Sequence, residues 1–180
     1  MKTIFITLLF LSFSGLAQQK YLTKTGSVDF EASVPSFEEV RAKNNVVTAI
    51  LNVDNGEFAA LALVKAFRFK NALMEEHFNE NYAESHKFPK ATFKGNIEGF
   101  NFKELKNENN YKISGELTFH GVTKLLNNVP VVIQKKDNEI ILHGSFKLLP
   151  SDFNIKIPSI VKNKISDEVM TTFEFILTKQ

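Results

Sequence analysis

The chain has 180 residues, 22 of them Lys or Arg and 20 Asp or Glu, for a formal net charge of +2. That balance gives no electrostatic footprint for a nucleic-acid partner, and the lack of any cysteine excludes disulfides, thiolate metal sites and a cysteine nucleophile. Phe is abundant (18) against three Tyr and no Trp, which points to a dry interior, because a phenyl ring carries no polar handle.

The N-terminus reads as a leader. Lys2 supplies a positive start, and residues 4–13 are apolar except for Thr7 and Ser12. Gly15 and Ala17 place small residues at the third-last and last positions before a cut ahead of Gln18. This is the layout of a secretory signal peptide, and the apolar run is short for a bilayer span. The expected organisation is a signal peptide over residues 1–17 and one domain over residues 18–180. The location is then periplasmic or secreted, with no integral membrane segment after cleavage. No lipid anchor is expected at the cut, since no cysteine stands there.

From there the dominant period is two. Strands are expected over residues 28–32, 46–53, 58–69, 91–97, 129–134 and 140–148. The pattern is clearest in two places. Tyr111, Ile113, Gly115, Leu117 and Phe119 alternate with Lys112, Ser114, Glu116, Thr118 and His120. Val169, Thr171, Phe173, Phe175 and Leu177 alternate with Met170, Thr172, Glu174, Ile176 and Thr178. Each row puts one set of side chains on one face of a sheet. Asp54-Asn55-Gly56, residues 106–110 and residues 135–138 supply the polar, turn-forming connections. Three stretches break the rhythm. Residues 37–43 follow Pro35-Ser36 and read as a helix with Ser36 as N-cap and Glu39 three residues on. Residues 71–85 carry Met74, His77, Phe78 and Asn81 at helical spacing, with Glu76, Glu80 and Glu84 on a second, solvated face. Residues 159–166 are a basic insertion, a short helix or a loop. About eight strands with short connections make an all-β sandwich or barrel.

Three phrases carry a family likeness: Phe88-Pro89-Lys90-Ala91-Thr92-Phe93, Gly115 to Lys124 (GELTFHGVTK), and Ser151-Asp152-Phe153. With Met74 to Tyr82 preceding the first, they resemble the YceI-like family over essentially residues 21–178. The resemblance implies an all-β fold with short helices, a lipocalin-like extended antiparallel β-barrel of about eight strands. It also implies an apolar cavity holding a polyisoprenoid chain, such as a prenylated quinone or related amphiphile, in a periplasmic or secreted protein. Beyond such a bound lipid no cofactor is expected. Barrels of this kind can pair as homodimers through exposed edges or helices, and no heptad or apolar stripe here demands it.

Lipid burial needs only apolar surface, at about 0.8 kcal/mol per methylene before ordering costs. The candidate ligand-binding residues are Phe67, Phe69, Met74, His77, Phe78, Phe93, Leu117, Phe119, Val131, Phe173 and Phe175, grouped by period-two or helical spacing. Each is also a candidate for ordinary core. His77, His86, His120 and His143 form no H-E-x-x-H and no tight pair, so no metal site is expected. Ser114, Ser145 and Ser151 lie in no G-x-S-x-G elbow, so no catalytic residue is assigned. His77 or His120 is expected to make a structural hydrogen bond at the barrel mouth or to touch a lipid head. Gly121 is read as a turn or bulge, and Asp152 as turn and capping chemistry. The main expectation is an exported lipid carrier or sequestering protein that is not an enzyme. Its alternatives are an exported hydrolase of a lipid-like ester and an interaction module that uses the barrel exterior.

Overall fold

The computed structural model describes residues 19–35 and 37–180. The expected signal peptide and the capping role of Ser36 lie outside the described residues. Nine strands and one α-helix follow in chain order: β1 (Lys20–Ser33), β2 (Arg41–Asn52), β3 (Glu57–Leu63), β4 (Arg68–Phe69), α1 (Ala72–His77), β5 (Lys90–Ile97), β6 (Asn109–Phe119), β7 (Val122–Lys136), β8 (Glu139–Leu148) and β9 (Ile165–Lys179). All pairings are antiparallel, in the order β1-β9-β8-β7-β6-β5-β3-β2, and β2 returns to pair with β1. The result is a closed eight-stranded barrel. The two-residue β4 is an extra strand on the N-terminal end of β2.

The turns follow from their residues. His120 (φ 49°) and Gly121 (φ 73°) both have positive φ, the conformation of a two-residue hairpin turn between β6 and β7. Gly56 (φ 75°) closes the β2–β3 turn, where Asn52 Oδ1 accepts the Asp54 N–H at 3.1 Å. Asp137 (φ 52°) turns β7 into β8. Residues 98–108 form a longer β5–β6 connection that also holds a 3₁₀ turn, Phe102–Glu104, and Asn109 and Asn110 of the loop expected over residues 106–110 already belong to β6, paired with Ile133 and Val132.

Three expectations need correction. Residues 37–43 are not helical, and Arg41 to Lys43 already belong to β2. There Ala42 pairs with Phe30 of β1 on one side and Phe69 of β4 on the other. A helix this short is marginal in water, whereas the extended form joins two ladders. The run over residues 58–69 is not one strand. A 3₁₀ turn, Val64–Ala66, divides it, and the fully buried Asn44 fills the break. Asn44 Nδ2 donates to the Leu63 carbonyl (3.0 Å), and its Oδ1 accepts the Val46 N–H (2.9 Å). Within residues 71–85, α1 gives way to a π turn, Phe78–Tyr82. Residues 159–164 form a looped, turn-rich segment, and β9 begins at Ile165.

The interior is divided along the barrel axis. At one end Leu51, Ile133, Ile140, Leu142 and Leu177 are fully buried. Tyr21 and Phe102 pack at 5.7 Å and Lys135 Nζ sits 4.7 Å over the Phe102 ring, covering that end. Toward the other end the inward rows continue, but Phe30, Leu117, Phe146, Leu148 and Phe173 are only partly covered. All five line a hollow, although Phe146 and Phe173 also pack on each other at 6.0 Å. Phenyl rings floor that hollow. The ring of Phe93 lies across the directly paired Gly95 and Gly115, where a Cβ on Gly115 would stand 2.8 Å from Phe93 Cζ.

Gly115→Ala is expected to lower stability by about 1–3 kcal/mol, the range for overpacking a close-packed site. The added methyl meets both the Phe93 ring and the Lys94 carbonyl. Urea denaturation measures the change, and an unchanged midpoint would show that the strands yield there without cost.

Candidate apolar cavity

The hollow is a cavity of about 550 Å³, inside the size range of small-molecule sites, roughly 300–1,000 Å³. Its walls are the inward rows of the barrel. Phe67, Phe69, Met74, His77, Phe78, Phe93, Leu117, Phe119, Phe173 and Phe175 all line it. Val131 does not. It is buried in the packed half, beside the position where a Cβ on Gly144 would sit. Period two gives the face on which Val131 stands but not its level along the axis, and its level places it outside the hollow.

Residues not anticipated from the sequence complete the lining. Val28 and Phe30 come from β1, Phe146 and Leu148 from β8, and Phe37 and Glu38 from the β1–β2 connection. Leu149, Pro150, Phe153, Ile155, Ile157 and Val161 come from the β8–β9 connection. The β1 and β8 residues share the inward alternation and could have been found by it. In the β8–β9 connection Phe153, Ile155 and Ile157 also alternate with Asn154, Lys156 and Pro158, whereas the other connection residues give no such signal.

The helical segment is seated over the mouth by aromatic contacts. Phe78 packs on Phe30 (5.3 Å), Phe69 (5.3 Å) and Phe67 (6.0 Å). Asn71 caps α1, its Oδ1 accepting the Leu73 N–H at 2.9 Å. Glu75 accepts from Arg68 (2.7 Å) and from the Phe69 N–H (3.1 Å), which ties α1 back to β4. Across the β1–β2 connection, Lys70 pairs with Glu39 and holds that carboxyl below the usual glutamate range. Asn71 Nδ2 donates to Glu38 (3.0 Å).

A second polar cluster joins three connections at the rim. His120 Nδ1–H donates to the Phe153 carbonyl (2.8 Å), which fixes that proton because a carbonyl can only accept. In the protonated ring Nε2–H also donates to Glu84 (3.0 Å). Phe88 packs edge-on against the same ring at 4.6 Å. Lys124 pairs with Asp152, which holds the Asp152 carboxyl below its ordinary value, and Asp152 also accepts the Leu149 N–H (3.3 Å). Asp152 thus has the capping role expected of it, and His120 makes a structural hydrogen bond. His120 is not part of the cavity lining, whereas His77 is. Glu76 and Glu80 are exposed as expected, but Glu84 is not a solvated helix residue. Lys87 first and His120 second hold its carboxyl below the glutamate range. Its backbone φ of 42° turns the chain inward after the π segment.

The polar side chains facing the cavity are few: Glu38, His77, Tyr82, Thr92, Lys164 and Thr171. Ser114 donates to Glu98 (2.8 Å) and accepts the Asn128 N–H (2.9 Å), and among the described residues no serine is hydrogen-bonded to a histidine. Among the described residues no three His, Asp or Glu side chains gather as metal ligands would. None of the described helices is long and apolar enough to cross a membrane.

The family model for the YceI-like domain matches residues 20–177. No curated protein matches the chain by sequence. Among solved structures, a polyisoprenoid binding domain from Saccharophagus degradans, implicated in plant cell wall breakdown, is similar with TM-score 0.78 at 14% identity. That match covers 91% of this chain and 99% of the other. BcnA of Burkholderia cenocepacia is similar with TM-score 0.69 at 18% identity, covering 84% and 96%. The YceI protein of Campylobacter jejuni gives TM-score 0.53 at 16% identity, covering 99% and 93%. At these identities the likeness is one of fold.

His120→Ala is expected to cost about 1–3 kcal/mol, because it leaves the carbonyl of the buried Phe153 without its donor; urea denaturation reads it. The pH dependence has a definite sign. Glu84 and Asp152 both have folded-state pKa values below their ordinary ones. Their stabilisation is therefore complete above the ordinary carboxylate range and is lost as pH falls through the depressed folded values. Glu84→Gln is expected to flatten the acid limb of a Tm-against-pH profile, and an unaltered limb would show that this pairing contributes nothing.

Proposed function

The chain belongs to the YceI-like family, and from that premise we propose that it is an exported lipid-binding protein. In this reading it carries or sequesters a long-chain isoprenoid, a quinone or a similar amphiphile in the hollow half of the barrel. The observation that carries the reading is the cavity itself, about 550 Å³ enclosed almost wholly by aliphatic and phenyl groups. The likeness to a polyisoprenoid binding domain supports it, and the signal-peptide pattern of residues 1–17 supports export to a periplasmic or extracellular location.

The mechanism needs no covalent step and no cofactor besides the lipid. Each methylene moved from water into the cavity contributes about 0.8 kcal/mol. Immobilising the chain offsets part of that. Where strands pair, their backbone groups bond to one another in the plane of the sheet, so an apolar chain there meets side chains and not stranded donors or acceptors. The polar head stays at the mouth, where Glu38, His77, Tyr82 and Lys164 supply the ionisable groups. Entry and exit then pass between the helical segment and the β8–β9 connection, which border the cavity from opposite sequence segments.

Organic extraction of natively purified protein followed by mass spectrometry is expected to release a prenyl or fatty ligand in near-equimolar amount. Leu117→Glu places a carboxylate on the cavity wall. It is expected to weaken retention of that ligand by roughly a hundredfold, since the charge must be desolvated by the bound chain. A folded Leu117→Glu protein with undiminished lipid content would take Leu117 out of the site. Protein that yields no apolar ligand and binds none on reconstitution would overturn the carrier reading.

A further inference from the structure

The cavity ends partway down the barrel. On β9, Phe173 and Phe175 line it, whereas Leu177 is fully buried and does not. On β3 the first lining residue is Phe58, and Leu51, its direct partner on the neighbouring β2, is fully buried and does not line the cavity. The rings at this level touch one another. Phe173 and Phe175 stack at 5.7 Å, Phe58 lies 5.5 Å from Phe175, and Phe93 lies 6.3 Å from Phe58.

Glycines seat these rings from the wall side. A Cβ on Gly144 would stand 2.7 Å from Phe173 Cζ, and one on Gly26 would strike the Phe175 ring. Phe93 occupies the equivalent space over Gly95 and Gly115. Every ring of this shelf except Phe58 therefore rests in room made by a missing side chain, and packed core lies below. The shelf is a fixed surface of the fold and not a set of side chains with somewhere else to go.

A cavity of about 150 Å³ takes up one benzene, which sets a scale of about 25 Å³ per carbon. On that scale 550 Å³ holds about 22 carbon atoms. We propose that the phenylalanine shelf is a length ruler: the site takes a single prenyl or acyl chain of about 22 carbons at most, with the stacked Phe173 and Phe175 rings setting the limit. A longer polyprenyl chain leaves its excess outside the mouth, where it gains nothing from the barrel. This inference rests on the lipid-carrier reading and adds the size class of its ligand.

The test is binding of farnesol, geranylgeraniol, geranylfarnesol and solanesol to delipidated full-length mature protein, read by displacement of an environment-sensitive fluorophore. Affinity is expected to rise on the order of tenfold from farnesol to geranylgeraniol, and by no more than about twofold from there to solanesol. Phe173→Ala deepens the cavity, so the rise is expected to continue to geranylfarnesol. Ala60→Leu fills the wall without hollowing the core, so the plateau is expected already at farnesol, which keeps the test intact if Phe173→Ala fails to fold. An affinity that climbs steadily to solanesol, or a plateau unmoved in every variant that folds, overturns the ruler and leaves the carrier reading standing. Failure of all four prenols and of palmitic acid to bind overturns both.

Discussion

Ring closure between β1 and β2 is the contact on which the rest depends. β1 is sandwiched between β9 and β2, pairing with both over most of its length. Without the β2 ladder the sheet would have two long edges, and edge backbone groups seek other partners. With it, every barrel strand has two neighbours, although β7 joins β8 from Val131 to Lys136 only. The seam also carries a local distortion. The register shifts on both sides of Gly26, where the backbone makes room for the Phe175 ring. A bulge at a glycine bends a strand sharply, and here the bend coincides with the level at which packed core gives way to cavity.

Closure alone leaves open what fills the interior, since a barrel of about eight strands can pack itself or hold a ligand. Here it does both. The packed half supplies the apolar burial that a cysteine-free domain needs to stay folded. The hollow half forfeits dispersion contacts along its whole lining. A lipid of the proposed kind would restore those contacts, which would link occupancy to stability. The two halves share strands: on β9, Leu177 stabilises the packed end and Phe173 faces the void two steps earlier in the inward row.

Much of this was legible in the sequence because both faces of a strand are written in a period of two. The rows through Leu117 and Phe173 give wall residues directly. Their level is not written there. Val131 has the same inward phase as Val129, yet Val129 lines the cavity and Val131 does not. That difference follows from register with β6 and β8 and from barrel tilt, which are properties of pairs of strands. The helix expected over residues 37–43 failed for a related reason. A local capping pattern competes with ladders to β1 and β4 that no local window contains. Leu149, Pro150 and Val161 line the cavity outside any alternation, so only the folded chain reveals them, while Phe153, Ile155 and Ile157 follow a short period of two.

The phrases that carry the family likeness turn out to be mostly rim chemistry. His120 of the second phrase joins Phe153 of the third through its carbonyl, and Phe88 of the first packs on the same imidazole. Lys124 and Asp152 repeat the link between the second and third phrases. These residues need particular donors, acceptors and a positive φ at Gly121, so they are readable as a motif. The cavity wall needs only apolar groups of suitable volume, and Phe, Leu, Val and Ile can exchange there at modest cost. A motif search in such a fold therefore finds the clasp at the mouth and is blind to the ligand. Under the proposed lipid-binding reading, specificity would be a matter of volume and depth, set by how far down the barrel the phenyl rings and their facing glycines stop the void.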